Sequence, residues 1–354
     1  MKRSPPAAGP RTAGQPSRAQ GNDTRTPAAP EKPHAPEQSA DIGRGRAAEA
    51  PEEIPAKGWR DILLRTKREI SADNLSVVAA GVAFYAFLAV VPSLAAVVAI
   101  YGLVSDPAQV GHQVEQLARV LPGEVMPLLQ QQMMRIASHT QAASWSAIVG
   151  FLLALYSSAN ATKALITGLN IAYGDRESRS FLRLTGVAFV LTIGGILGAV
   201  LAIGLVAMLP AVLQHLQLPQ SAELWVNWLR WPLLVGSFMF GLAVMYRFGP
   251  SRHDAKWKWV TWGAAVAGVL WLAASGAFSL YVAKFGSYDK TYGSLGAVIV
   301  FLMWLYLSAF VVLLGAELNS EMERQTAKDT TRGPPKPMGR RHAHSADTLG
   351  PAQD

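Results

Sequence analysis

No cysteine occurs in the chain, which excludes a disulfide framework, a Cys-ligated zinc site and a thiol nucleophile. Charge is scarce as well. Asp, Glu, Lys and Arg make up 16% of the residues, against about 25% in an average soluble domain. The seven histidines (His34, His112, His139, His215, His253, His342 and His344) never stand as HxxxH. No GxSxG, Walker A or GxGxxG motif occurs in the strand–turn–helix setting it needs. A metal nuclease requires several clustered His, Asp or Glu ligands, and the apolar stretches offer none. These absences argue against an enzyme: no catalytic residue, cofactor or metal site is expected.

What the chain does have is apolar length. Half of its residues are hydrophobic, and they gather in six segments, roughly 76–104, 145–168, 184–209, 229–248, 259–283 and 292–318. About 20 helical residues cross the hydrocarbon of a bilayer, and every amide of a crossing segment must be satisfied within its helix. The expected fold is an all-α integral membrane protein, a six-transmembrane-helix bundle over residues 76–319. The first segment is too long for the core of a secretory signal and no small-residue cleavage site follows it. Pro92 within it removes one backbone donor and predicts a kink.

Lys and Arg collect in alternate gaps. Lys57, Arg60, Arg65, Lys67 and Arg68 precede segment 1; Arg176, Arg179 and Arg183 follow segment 2; Arg247, Arg252, Lys256 and Lys258 follow segment 4; and a basic tail follows segment 6. The opposite gaps hold only Arg119 and Arg135, then Arg230, then Lys284 and Lys290. The positive-inside rule therefore places both termini in the cytoplasm of a bacterial inner-membrane protein. The net charge of +8 is concentrated beside the apolar segments. That placement points to anionic lipid headgroups at the cytoplasmic face as partners and not to nucleic acid. Trp145, Trp225, Trp228, Trp231, Trp257, Trp259 and Trp262 mark segment ends, where an apolar ring with one polar N–H sits best.

Outside the segments, residues 1–56 and 320–354 are rich in Pro, Gly, Ala and mixed charge and read as disordered cytoplasmic tails. His342 and His344, in the second, are read as solvated rather than metal-binding. Residues 57–75 form a basic amphipathic lead-in helix, with Trp59, Ile62, Leu63 and Ile70 at helical spacing. It either lies on the membrane surface or packs on the bundle. The external segment 105–143 carries two amphipathic stripes that fit short helices packed over the outer mouth.

Polar side chains inside lipid need a reason. Segment 2 places Ser157, Ser158, Asn160, Thr162 and Lys163 within two helical turns. With Tyr85 and Pro92 of segment 1, residues Ser157, Asn160 and Lys163 mark a candidate substrate path. The competing reading is that Lys163 snorkels and the others bond neighbouring helices. At the inner end of segment 6, Glu317 and Asn319 with Arg247 form a candidate cytoplasmic ion pair or gate. Gly194, Gly198 and Ala202, like Ala264 and Gly268, read as helix-packing stripes, within one chain or between copies in a homo-oligomer.

The stretches "SVVAAGVAFYAFLAVVPSLAAVVAIYG", "NIAYGDRESRSFLR", "YRFGP" and "FSLYVAKFGSYDKTYGSLGAVIVFLMWLYLSAFVVLLGAELNSEME" resemble the YihY/BrkB family of bacterial inner-membrane proteins over about residues 57–323. The resemblance implies six membrane helices and cytoplasmic ends. The family has carried the labels virulence factor and ribonuclease BN, and it carries over no catalytic residue. Trp262 stands where the family more often has Pro, which implies a different start to segment 5. The expected function is permease-like handling of a lipid or another envelope amphiphile. The alternatives are a tRNA-processing ribonuclease and an envelope scaffold.

Overall fold

A computed structural model describes residues 43–104, 142–215, 220–285 and 294–353. Its helices are α1 (Ala56–Ala72), α2 (Leu75–Val104), α3 (Ala142–Ala172), α4 (Phe181–His215), α5 (Gln220–Phe248), α6 (Trp257–Phe285), α7 (Ser294–Glu323) and the single turn α8 (His344–Asp347). No β-strand occurs among the described residues; the pair Ala255 and Thr331 forms an isolated bridge. Helices α2 to α7 lie on the six predicted segments in order. The residues between α2 and α3, which hold the expected external amphipathic segment, are outside the described residues, as is 1–42 of the N-terminal tail.

Five helices are each long and apolar enough to cross a membrane, and a sixth crossing comes from α1 and α2 taken as one bent pair. At 29 to 35 residues for α5 and α4, the helices measure about 43 to 52 Å, longer than the hydrocarbon. They therefore tilt or project. Phe84, Leu153, Leu201, Phe240 and Leu280 are exposed on the outside. An apolar surface this continuous is stable only against lipid. The chain is a membrane protein.

Helix α7 is the axis, packing on α1, α2, α3, α6 and α8, while α4 lies against α3 and α5 at the edge. The α6–α7 crossing depends on two glycines. A Cβ added at Gly315 would come within 2.7 Å of the Ala267 Cβ and 2.8 Å of the Gly263 carbonyl oxygen. Lipid supplies no hydrophobic drive between helices, so this close backbone approach is what gives the crossing its dispersion energy. The stripe on α4 behaves differently. A Cβ at Gly194 or Gly198 meets nothing within 4 Å, so within the chain these residues line open space and do not pack on a neighbouring helix. Ala264 is buried and Gly268 closely approached by Met239, as expected for packing.

Between α1 and α2 the chain bends by 65°. Asp73 caps α1 through its N–H to the Glu69 carbonyl at 2.8 Å, and Asn74 takes φ of 50°. Asn tolerates this left-handed position better than any residue but Gly. Helix α1 is packed rather than lying free on a surface. Its buried face is Gly58, Asp61, Ile62, Arg65 and Thr66, while Leu63 is exposed. The helix is thus rotated from the hydrophobic stripe of the sequence, because Asp61 and Arg65 find ionic partners.

The disordered-tail reading fails for 320–353 and for 43–55. The C-terminal segment runs back across the charged end of the bundle as a strap. The Ser345 hydroxyl donates to the Tyr173 carbonyl at 3.0 Å, Lys256 N–H to Thr330 O at 2.9 Å, His253 N–H to His342 O at 3.0 Å, and Ala327 N–H to Arg46 O at 2.8 Å. Asp61 Oδ1 accepts from Gln353 N–H at 3.0 Å and from Arg44 Nη1 at 2.8 Å. Its polar composition hid this order, since the strap is held by hydrogen bonds to other loops and not by an apolar face of its own.

Replacing Gly315 with Val should lower the thermal midpoint of the detergent-solubilised protein, at a cost of about 1–3 kcal/mol for overpacking. The same change at Gly198 should leave the midpoint unaltered.

Candidate functional site

The open space beside the α4 stripe is a groove of about 1640 Å³ between α4 and α5. Gly186, Val190, Gly194, Gly198 and Ala202 form one wall; Leu234, Phe238, Gly241 and Met245 form the other; Leu165 of α3 and Val312 of α7 lie among its lining. Sites for drug-sized ligands run to about 1,000 Å³, so this groove is larger, and its walls are apolar along two helices. At the charged end it is lined by Ser178, Arg179, Arg183, Ser251, Arg252, His253, Asp254 and His342.

Two turns hold that polar mouth in shape. Glu177 receives Arg179 Nε and Nη2, each at 2.8 Å, and Asn170 Nδ2 at 3.0 Å. Arg179 Nη2 also donates to the Gly249 carbonyl at 2.8 Å, and Ser251 N–H to Asn170 Oδ1 at 2.6 Å. The α3–α4 turn is thereby stitched to the α5–α6 turn. Hydrogen bonds from Arg179 hold the Glu177 carboxyl down at about 2, against the opposing effect of burial. Arg252 donates from Nη2 to Glu323 Oε2 at 2.5 Å and lies 4.7 Å from the centroid of the Tyr173 ring. Arg252 Nη1 and His253 Nδ1 are buried with no hydrogen-bond partner. Arg183 is exposed and has no partner among the described residues. The mouth thus combines fixed cations with one free guanidinium.

The residues predicted from segments 1 and 2 do not gather in this groove. Ser158 pairs with Ser93 of α2 at 3.0 Å, the Ser157 hydroxyl donates to Leu88 O at 3.4 Å, and Thr162 pairs with Thr192 of α4 at 2.7 Å. They join α2, α3 and α4 to one another, which is the helix-bonding reading. Lys163 Nζ lies 5.1 Å from the Phe181 ring centroid and 5.9 Å from that of Tyr156, within cation–π range. Asn160 is half-buried and Tyr85 exposed beside Phe84. Pro92 lies inside α2.

Of the inner trio, Asn319 clamps α7 to α6: its Oδ1 accepts from Gly263 N–H at 2.9 Å and its Nδ2 donates to Val260 O at 3.4 Å. The expected Arg247–Glu317 pair is not formed. Successive helical residues point about 100° apart. Tyr246 turns its hydroxyl to Val312 O of α7 at 2.7 Å, so Arg247 is carried round to stack 4.5 Å from the Trp257 ring centroid. Glu317 is buried and faces Asp73 at the elbow.

Sequence reasoning missed Arg65, Arg252, Glu321 and Glu323, four buried charges in two ion pairs. Arg65 and Arg252 entered the sequence only as members of basic gaps. Glu321 lies one turn beyond Glu317 on the same face of a polar helix end, a spacing that could have flagged it. Trp262 has a role here too. Its Nε1 donates to Glu52 Oε1 at 2.8 Å and its ring lies 5.9 Å from that of Trp59, seating the segment before α1 on α6.

The family described as Virulence factor BrkB matches residues 66–339. The chain is 30% identical to a UPF0761 membrane protein of Idiomarina loihiensis, covering 59% of this chain and 73% of that one. A second UPF0761 membrane protein, from Vibrio parahaemolyticus, is 28% identical over 73% of this chain and 81% of its own. YfkH of Bacillus subtilis, named as ribonuclease-like, is 29% identical over half of this chain; the chain spans 65% of YfkH's length. No solved structure matches.

Replacing Glu177 with Gln should lower stability at neutral pH by freeing Arg179. A carboxyl depressed in the fold contributes stability above its unfolded value near 4.5 and loses it as pH falls toward about 2. The wild type and the variant should therefore converge in thermal unfolding scans as the solution is acidified through that window.

Proposed function

The chain belongs to the Virulence factor BrkB family of membrane proteins, and from that premise we propose that it binds and moves a lipid-like amphiphile. The acyl portion lies between α4 and α5 and an anionic head rests at the basic mouth. The observation that carries this reading is the continuity of the two surfaces: apolar walls along α4 and α5 run without a break into Arg183, Ser178 and Ser251. A soluble ligand has no use for such walls inside a bilayer.

The energetics place selectivity at the mouth. An acyl chain gains almost nothing by leaving lipid for an apolar groove, since bilayer tails are as apolar as Leu. Discrimination falls to the headgroup, where charge-assisted hydrogen bonds to a guanidinium are about twice as strong as neutral ones. In this reading the charged end faces the cytoplasm, with both termini, and the exposed Lys57, Arg60, Lys67 and Arg68 of α1 rest on anionic headgroups of the inner membrane. The ribonuclease-like name belongs to the Bacillus protein, and nothing in this chain shows enzymatic activity.

Full-length protein in vesicles containing anionic phospholipid should redistribute labelled lipid between leaflets faster than protein-free vesicles. Gly198→Leu, which fills the groove, and Arg183→Ala, which removes the free cation, should each slow it about tenfold, the effect of about 1.4 kcal/mol. Transfer no faster than in empty vesicles, or unaffected by both changes, would overturn the reading.

A further inference from the structure

The strap leaves α7, runs out along the α5–α6 turn and returns past the polar mouth of the groove. Its outgoing limb is fixed by backbone bonds, Lys256 N–H to Thr330 O at 2.9 Å and Arg332 N–H to Asp254 O at 2.8 Å. The returning limb is gripped at two points. Arg341 is buried and donates to the carbonyls of Ala327, Lys328 and Ala346. The Ser345 hydroxyl pairs with that of Ser320 on α7 at 2.8 Å. Only His342, Ala343 and His344 lie between those grips. His342 lines the mouth, and its carbonyl accepts from His253 N–H of the α5–α6 turn at 3.0 Å. His344 gives its N–H to Asp175 Oδ1 of the α3–α4 turn at 3.0 Å. One short span therefore bridges the turn that leads into α4 and the turn that leaves α5, the two walls of the groove.

The span is held under strain and lightly packed. His342 sits at φ of 56°, a left-handed conformation that costs a residue with a Cβ and persists only while its surroundings impose it. The bonds at His253 and Asp175 are what impose it. The second of these is one-sided, since Asp175 Oδ2 is buried with no hydrogen-bond partner among the described residues. His342 and His344 are exposed and only Ala343 is buried, so lifting the span uncovers little. We propose that His342–His344 is an autoinhibitory latch across the mouth, an inference that rests on the lipid reading above. Latched, the span keeps His342 on the rim and bars the head from passing between groove and cytoplasm. Release trades two hydrogen bonds for relief at His342 and takes the residue off the rim. The bonds of Arg179 to Gly249 and of Ser251 to Asn170 join the same two turns directly, so the bundle stays folded when the span lifts. Arg341 and Ser345 then guide it back.

The test follows labelled lipid between the leaflets of anionic-phospholipid vesicles that hold the full-length protein. The chain has no cysteine, and a Cβ added at Gly174 would lie 3.3 Å from His344 Cγ, so the double variant G174C/H344C can lock the span with a disulfide. Oxidised, it should move lipid at least about tenfold slower than the same protein after reduction. D175A lacks the acceptor for His344 N–H and should move lipid about fivefold faster than wild type. D175N keeps an acceptor oxygen and should match wild type. Hydrogen exchange at the His344 amide should quicken in D175A and not in D175N. Equal rates for the oxidised and reduced pair, D175A no faster than wild type, or unchanged exchange would each overturn the latch and leave lipid transfer standing. A wild type that moves no lipid would overturn both.

Discussion

One buried carboxylate, Glu321 near the end of α7, holds the charged end of this bundle together. It is wholly inaccessible and takes Arg65 from α1 and Arg324 from the turn just past the end of α7. A buried pair of this kind repays its desolvation only when its remaining donors are also satisfied. That requirement explains the strap. Arg65 Nη1 donates to Pro351 O at 3.1 Å, Arg65 Nη2 to Gln325 Oε1 at 2.7 Å, and Arg46 Nη2 to Gly350 O at 2.7 Å. The C-terminal segment, polar and rich in Gly and Pro, has no apolar face with which to pack. It is ordered because the buried guanidiniums need its carbonyls.

The membrane region obeys a different constraint. With lipid on every side, burying an apolar side chain against another helix gains little, so fit and polar bonds decide which helices touch. Gly263 and Gly315 let α6 and α7 meet backbone to backbone, and Thr162 with Thr192 fastens α3 to α4. Where neither device acts, beside the Gly186 to Ala202 stretch of α4, a groove opens between α4 and α5. The groove is the place where this bundle declines to close, and its small residues keep it open. At the mouth, Glu177 and the Gly249 carbonyl fix Arg179, while Arg183 is exposed.

Much of the fold was legible from residue patterns. Six uninterrupted apolar segments leave no other way to satisfy their backbone amides, and each became a helix, although α5 begins at Gln220, well before the expected start near 229, and α4 runs on to His215, past the expected end near 209. The candidate site was less legible. Hydropathy records that Gly194 and Gly198 are small, but whether small residues face a neighbour or a void is set by three-dimensional packing. Lys163 and Ser157 drew attention because polarity in lipid is costly, yet they serve contacts between helices. Arg65 and Arg252 looked like ordinary rim cations, since their partners Glu321 and Glu323 lie far along the chain. The strap misread as a disordered tail is the same error in another form: composition reports what a segment can bury by itself, not which buried charges it can cap.

The central claim is that the space between α4 and α5 is a lipid site with its head at the basic mouth. A density map of the protein in nanodiscs containing anionic phospholipid tests it most directly. The account predicts acyl-chain density along Gly194 and Gly198, ending in a headgroup within hydrogen-bonding reach of Arg183. Helices α4 and α5 drawn together with no lipid between them would contradict it.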